Sequence, residues 1–247
     1  MTAALKVRHG IDRLLYALLG TRWISYRAAR TWDSRADNEP LVATAAHDAG
    51  GWDQYWASGR RDLDLLLNVA REIGLTERRT AVEIGCGIGR LAKLAAGEFD
   101  EVVATDISAH MLKLARQRSA APNVRYLLLG ADQKLPAGDS TVDFVYAWTV
   151  FRHMPEVSFE AYLDESFRVL RPGGCLAFEA LIRDDGTPFK PSVSNPVSER
   201  EYTAAELNEH RRRHRFARGA DRRIGSLTPG TSNLVLAWRK PDGPRND

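Results

Sequence analysis

The chain has 247 residues, 44% of them apolar and 27% charged, an ordinary globular composition with room for one sizeable α/β domain and an appendage. Its 35 basic and 32 acidic residues leave a net charge of +3, too near balance to require a polyanionic partner. The two cysteines, Cys86 and Cys175, lie far apart in segments that read as buried, which argues against a disulfide framework or a cysteine zinc site and fits a reducing, cytoplasmic location.

Residues 1 to about 75 read as a helical N-terminal lid, with residues 76–247 as the main domain. In the lid, Ile11, Leu14, Leu15, Leu18 and Leu19 share a helical face. The run Leu14 to Leu19 is too short to span a bilayer and lacks a cleavage signal; the basic residues beside it, Lys6, Arg8, Arg13 and Arg22, fit a lid or homodimer contact better than a membrane surface. Four of the six tryptophans, Trp23, Trp32, Trp52 and Trp56, fall in this segment, where they fit a satellite apolar cluster or faces stacking on a ring-shaped ligand. Arg61 to Ile73 predicts a second amphipathic helix that stops at Gly74.

From about residue 80 strand, turn and helix alternate. Strands are predicted at Ala81–Ile84, Val102–Thr105, Val124–Leu129, Val142–Val150 and Cys175–Ile182, with helices over Arg90–Ala96, Ala109–Ala120 and Phe159–Leu170. The fourth strand is the most apolar and so the central one. This alternation predicts a doubly wound parallel sheet. A helix over Thr203 to His214 precedes two strands, Phe216–Ile224 and Asn233–Trp238, that no helix separates; a hairpin there runs one strand antiparallel to its neighbours.

The sharpest local feature is Val82-Glu83-Ile84-Gly85-Cys86-Gly87-Ile88-Gly89-Arg90 between the first strand and its helix. Glycines there let the chain turn tightly and let a ligand approach the backbone, at the carboxyl end of a strand where doubly wound sheets bind ligands. A dinucleotide fingerprint would place its third glycine at position 90, which is arginine. Asp106 ends the second strand and is placed to accept hydrogen bonds from ribose hydroxyls; capping the next helix is its plainer role. Asp132, after the third strand, is placed to accept from an exocyclic adenine amine or simply to make a turn.

These pieces, together with Gly130-to-Pro136, Asp143-to-Trp148 and Leu170-Arg171-Pro172-Gly173-Gly174, resemble the class I S-adenosylmethionine (SAM)-dependent methyltransferases over about residues 78 to 182. The resemblance implies an α/β fold with a seven-stranded, mostly parallel sheet and an antiparallel C-terminal hairpin. It implies SAM as cofactor, with Gly85 and Gly87 facing its methionine part, Asp106 on the ribose, Asp132 at the adenine, and Glu83, Gly89 and Ala131 also among the cofactor-binding residues. Ile107, Met111, Gln133 and Trp148 would supply apolar and edge contacts, and Arg60 the partner of the methionine carboxylate. A weaker overall likeness is to actinobacterial sugar O-methyltransferases.

Methyl transfer to a hydroxyl needs a base, and His153, just past the fourth strand, is the candidate by type and position; Tyr146 reads as core. Asp184 and Asp185 follow the fifth strand, where they face an acceptor or a divalent ion such as Mg2+, or make a turn; nothing in the pattern requires the ion. The run Arg211-Arg212-Arg213-His214-Arg215 raises an RNA substrate, yet it sits at a helix C-terminus, which favours cations in any case. The expected acceptor is a small hydroxylated molecule, a saccharide or natural product, with nitrogen and carbon acceptors left open and no nucleic acid.

Overall fold

The computed structural model describes residues 21–38, 51–189, 199–226 and 229–243. The helix expected around Ile11 to Leu19 lies outside them. The elements in chain order are α1 (Thr21–Asn38), α2 (Trp52–Glu72), β1 (Thr80–Ile84), α3 (Arg90–Ala95), β2 (Glu101–Asp106), α4 (Ala109–Arg118), β3 (Val124–Leu128), β4 (Val142–Ala147), α5 (Glu156–Val169), β5 (Leu170–Arg183), β6 (Glu201–Tyr202), α6 (Ala204–Arg213), β7 (Arg218–Gly225) and β8 (Thr231–Arg239).

The strands form one sheet in the order β3-β2-β1-β4-β5-β8-β7, with β6 beside β5. Strands β1 to β5 pair in parallel, and β8 runs antiparallel to both β5 and β7. The expected fold is therefore present with an eighth strand added. Two-residue β6 carries no periodicity to read; it exists because Glu201 and Tyr202 register against Leu181 and Ile182.

Alternation along each strand sorts side chains onto two faces. Ala81, Val102, Ala104, Phe144, Tyr146, Cys175 and Ala177 share one apolar core with Leu63, Leu66 and Leu67 of α2 and with Leu91 and Leu112. Val82, Val103, Val145, Leu176 and Phe178 share the other with Phe159 and Leu163 of α5 and Leu207 of α6. Every residue of β4 is buried, as its apolar run predicts. Its one charged residue, Asp143, accepts from the amides of Arg79 and Thr80 and pairs with Arg171 at 2.6 Å, so that carboxylate is buried with partners.

Helix α2 starts nine residues before the predicted segment. The pattern breaks at Gly59, where a side chain would stand 2.9 Å from Cγ of Arg90; the glycine lets α2 lie against α3. Strand β5 begins at Leu170 and absorbs the predicted Pro172–Gly174 turn as a register shift opposite Val142 and Phe144.

Candidate functional site

Strand β1 ends in a turn whose glycines Gly85, Gly87 and Gly89 have φ of 69°, 54° and 83°, left-handed values that L side chains adopt only under strain. At Gly85 a Cβ would sit 2.5 Å from Cγ2 of Val150. The turn is tied sideways to β2: the Cys86 amide donates to the Thr105 carbonyl at 2.9 Å and the Thr105 hydroxyl to the Glu83 carbonyl at 2.6 Å. The Gly87 amide donates to Oδ2 of Asp106 at 2.8 Å, and the Ser108 amide to its Oδ1, also at 2.8 Å. Each carboxylate oxygen keeps a second lone pair. Burial pushes the Asp106 carboxyl up to about 6 while the amides of Ser108 and Gly87 hold it down.

Behind the turn, burial pushes Glu83 up to about 8, opposed by the Tyr146 hydroxyl, which donates to it at 3.1 Å. Tyr146 is fully buried, in keeping with its expected core role. Arg90, the first residue of α3, is buried as well. Its Nη1 donates to Ser58 and to Asp62, each at 2.7 Å, and its guanidinium lies 5.3 Å from the Tyr55 ring centre.

Helix α1 closes the top. Asp33 accepts from the Ser108 hydroxyl at 2.6 Å and the His110 amide at 3.2 Å, placing a carboxylate at the amino end of α4, where the helix dipole favours it. That anchor holds Ser25, Ala28 and Trp32 over the cavity. Trp32 meets the His153 ring edge-on at 5.5 Å and 71°. His153 ends a short 3-10 turn, Phe151–His153, reached through Thr149, a β-branched residue held at a φ of 55°. Such a value costs on the order of 1–3 kcal/mol and marks a position the surroundings dictate.

These parts line a cavity whose empty space, counting the portion open to solvent, is about 1030 Å3. Of the expected residues, Glu83, Gly85, Gly87, Asp106, Ile107, Met111, Gln133, Trp148 and His153 line it. Arg60 does not. It lies on the outer face of α2, 47% exposed, paired with Glu98 at 3.1 Å and Asp64 at 3.6 Å; the cation on the cavity wall is Arg90. Gly89 faces Tyr126 and Ser119, a packing position. Ala131 and Asp132 are exposed in the turn leading to Gln133. Sequence reasoning passed over Tyr55, Ser158, Tyr162 and Arg90 as lining groups; for Arg90 the signal was its place at the first turn of the helix behind the glycines.

Away from the cavity, Asp185 accepts from the Thr187 amide at 2.9 Å, closing its own turn, and Asp184 accepts from the Ser232 hydroxyl of β8 at 2.7 Å and from Arg223 of β7 at 3.1 Å. The basic run is likewise engaged. Arg211 donates to the Phe216 and Ala217 carbonyls, Arg212 pairs with Glu209, and Arg215 lies over the Phe167 ring. Trp32, Trp52 and Trp56 pack with Tyr55, Ile88 and Met111 in a satellite cluster. Among the described residues no helix is long and apolar enough to cross a membrane.

A family described as methyltransferase domain matches residues 81–174, from β1 into β5. This stretch is a methyltransferase domain. A probable S-adenosylmethionine-dependent methyltransferase of Mycolicibacterium smegmatis is 33% identical over 131 residues, covering 53% of this chain and 49% of that protein. A malonyl-acyl-carrier-protein O-methyltransferase of Salmonella typhimurium is 32% identical over 150 residues, covering 60% and 56%. The chain thus spans about half the length of the curated relatives it matches. Among solved structures the 4+2 cyclase SpnF shares the fold, with a TM-score of 0.69 at 19% identity over 89% of this chain and 97% of that one.

Proposed function

We propose that the methyltransferase domain binds SAM in the cavity at the carboxyl ends of β1, β2 and β4 and transfers its methyl group to a hydroxyl of a small acceptor, a saccharide or natural product. The observation carrying this is the convergence on one cavity of the left-handed glycine turn, the Asp106 carboxylate and His153. The donor set suits the cofactor. Asp106 is buried, fixed by two backbone amides, and keeps lone pairs for two adjacent hydroxyls. Gly85 and Gly87 bring bare backbone to the cavity wall, and Arg90 supplies the cation beside it that Arg60 cannot.

When bound, SAM supplies a methyl group already activated by its sulfonium. The chain's own residues then have to orient the acceptor, keep water out and take a proton. Ile107 and Met111 would flank the ribose and adenine side, and Gln133, held by Ser158 at 2.8 Å, would close the far end. Asp132 and Ala131, exposed in the turn before Gln133, would serve the adenine from outside the cavity wall. Trp32 and Trp148 offer ring faces to the acceptor, and α1 with Trp32 acts as the cover. His153 takes the hydroxyl proton.

Calorimetry on the full chain is expected to show binding of SAM and its demethylated product, with no heat from a nicotinamide dinucleotide. Release of S-adenosylhomocysteine, followed over a panel of saccharides and phenolic or polyketide hydroxyls, then identifies the acceptor. His153→Ala should slow that turnover by about 100- to 10,000-fold if the acceptor is a hydroxyl. Undiminished turnover would place the acceptor among amines or carbanions. Binding of the dinucleotide alone would defeat the whole reading.

A further inference from the structure

On the side of the sheet opposite α2, helices α5 and α6 meet through polar groups that methyl transfer does not use. His210 lies in α6 and His214, one turn on, caps its end; both are buried, and Glu160 of α5 stands beside them. One ligand atom from each of the three falls within 4.8 Å of the others. Tetrahedral ligands held at about 2.0–2.1 Å stand roughly 3.3 Å apart, so small rotamer changes suffice to gather them.

The histidine orientation adds an independent observation. Nδ1 of His214 lies 2.7 Å from Oδ1 of Asp164, so Nδ1–H donates to the carboxylate and, in the neutral ring, Nε2 carries the lone pair. That Nε2 is buried and has no hydrogen-bond partner among the described residues, an expensive arrangement for a nitrogen lone pair. A carboxylate holding the far nitrogen of a histidine is the usual support of a metal-bound imidazole.

We propose that Glu160, His210 and His214 bind one divalent transition-metal ion, zinc by preference, fastening α6 onto α5. Two imidazoles and a carboxylate suit zinc, cobalt or nickel and not calcium or magnesium. Arg213, whose side chain is 53% exposed, pairs with Glu160 and donates to His210 at 3.3 Å. It is a displaceable cation standing where the metal belongs.

The test uses the full chain after treatment with a chelator, titrated with Zn2+ in a calorimeter and melted with and without the ion. Wild type should take up one Zn2+ and melt roughly 5–10 °C higher at a hundredfold excess over Kd. Glu160→Gln and His214→Gln should weaken binding at least tenfold, with circular dichroism confirming that each is folded. Arg213→Gln should bind as tightly as wild type or more so, because it removes the competing cation. Cobalt, bound in place of zinc, should show the strong visible absorption of a four-coordinate site. Absence of heat and of any melting shift in wild type would overturn the proposal, as would equal binding by the His210→Gln/His214→Gln double variant. Weaker binding in Arg213→Gln would overturn it as well. None of these readouts depends on methyl transfer.

Discussion

Replacing Asp106 by Asn separates a ligand-holding role from a structural one, because the two pull stability and affinity in different directions. The carboxyl titrates at about 6 against an ordinary 3.8, so keeping it ionised in the folded chain costs roughly 3 kcal/mol. The sign follows from the raised value. That penalty is absent below about pH 4 and fully present above about pH 6. Asn removes it. The substitution also turns an NH2 against one of the two amides, Gly87 or Ser108, that the carboxylate accepts from, costing about 1–3 kcal/mol. At pH 8 the two effects roughly cancel or leave Asn ahead, and the melting temperature should hold or rise by up to about 8 °C. Near pH 3.5 only the lost acceptor remains, and the variant should melt lower than wild type. Cofactor affinity should fall at both ends of the range. One hydrogen bond from a ribose hydroxyl to a charged acceptor contributes about 1.5–3 kcal/mol, which is about a 10- to 150-fold change in Kd for S-adenosylhomocysteine. Calorimetry and melting at the two pH values measure everything needed. Unchanged affinity refutes the ribose assignment; a melting drop beyond about 10 °C at pH 8 would instead make Asp106 a lock for the glycine turn.

Other substitutions probe the same framework. Gly85→Ala forces a side chain into a φ of 69° and to 2.5 Å from Val150; melting should fall and ligand heat disappear, with Val150→Ala in the same chain recovering stability only in part, since the backbone strain of about 1–2 kcal/mol stays. Asp62→Ala strands the Arg90 guanidinium, both groups being about 95% buried, and should lower the melting temperature by roughly 6–20 °C, the consequence of about 3–5 kcal/mol for an unpaired buried charge. Glu83, raised from 4.5 to about 8, should make the protein lose stability as pH climbs between those values and level off above; Glu83→Gln should flatten that slope in a pH series of melting curves and be the more stable form at pH 9.

The sheet could be read from the sequence because its signals are local and repeated. Alternation put Val82, Val103 and Val145 on one face, and glycines mark the turn where the backbone must go left-handed. Elements carried by tertiary contact left no such trace. β6 exists only because β5 offers it an edge. The first turns of α2 form despite Gly59, which a helix tolerates here because it admits the Arg90 side chain.

The arginine of the site shows where sequence reasoning changes kind. Arg60 and Arg90 are the same residue type, one in α2 and the other at the first turn of α3. What separates them is the rotation of α2. Its apolar stripe of Leu63, Leu66, Leu67 and Ala70 turns into the core, which sends Arg60 outward to Glu98 and turns Asp62 inward. A buried aspartate in an amphipathic helix requires a buried cation, and the residue opposite, at the first turn of α3, is Arg90. The sequence therefore contained the pairing in the form of an acidic residue on an apolar face. Asp62 sits directly before Leu63 and four residues ahead of Leu66 on that stripe. Asking what could neutralise it, and not which arginine stands where relatives keep one, leads to the cavity wall.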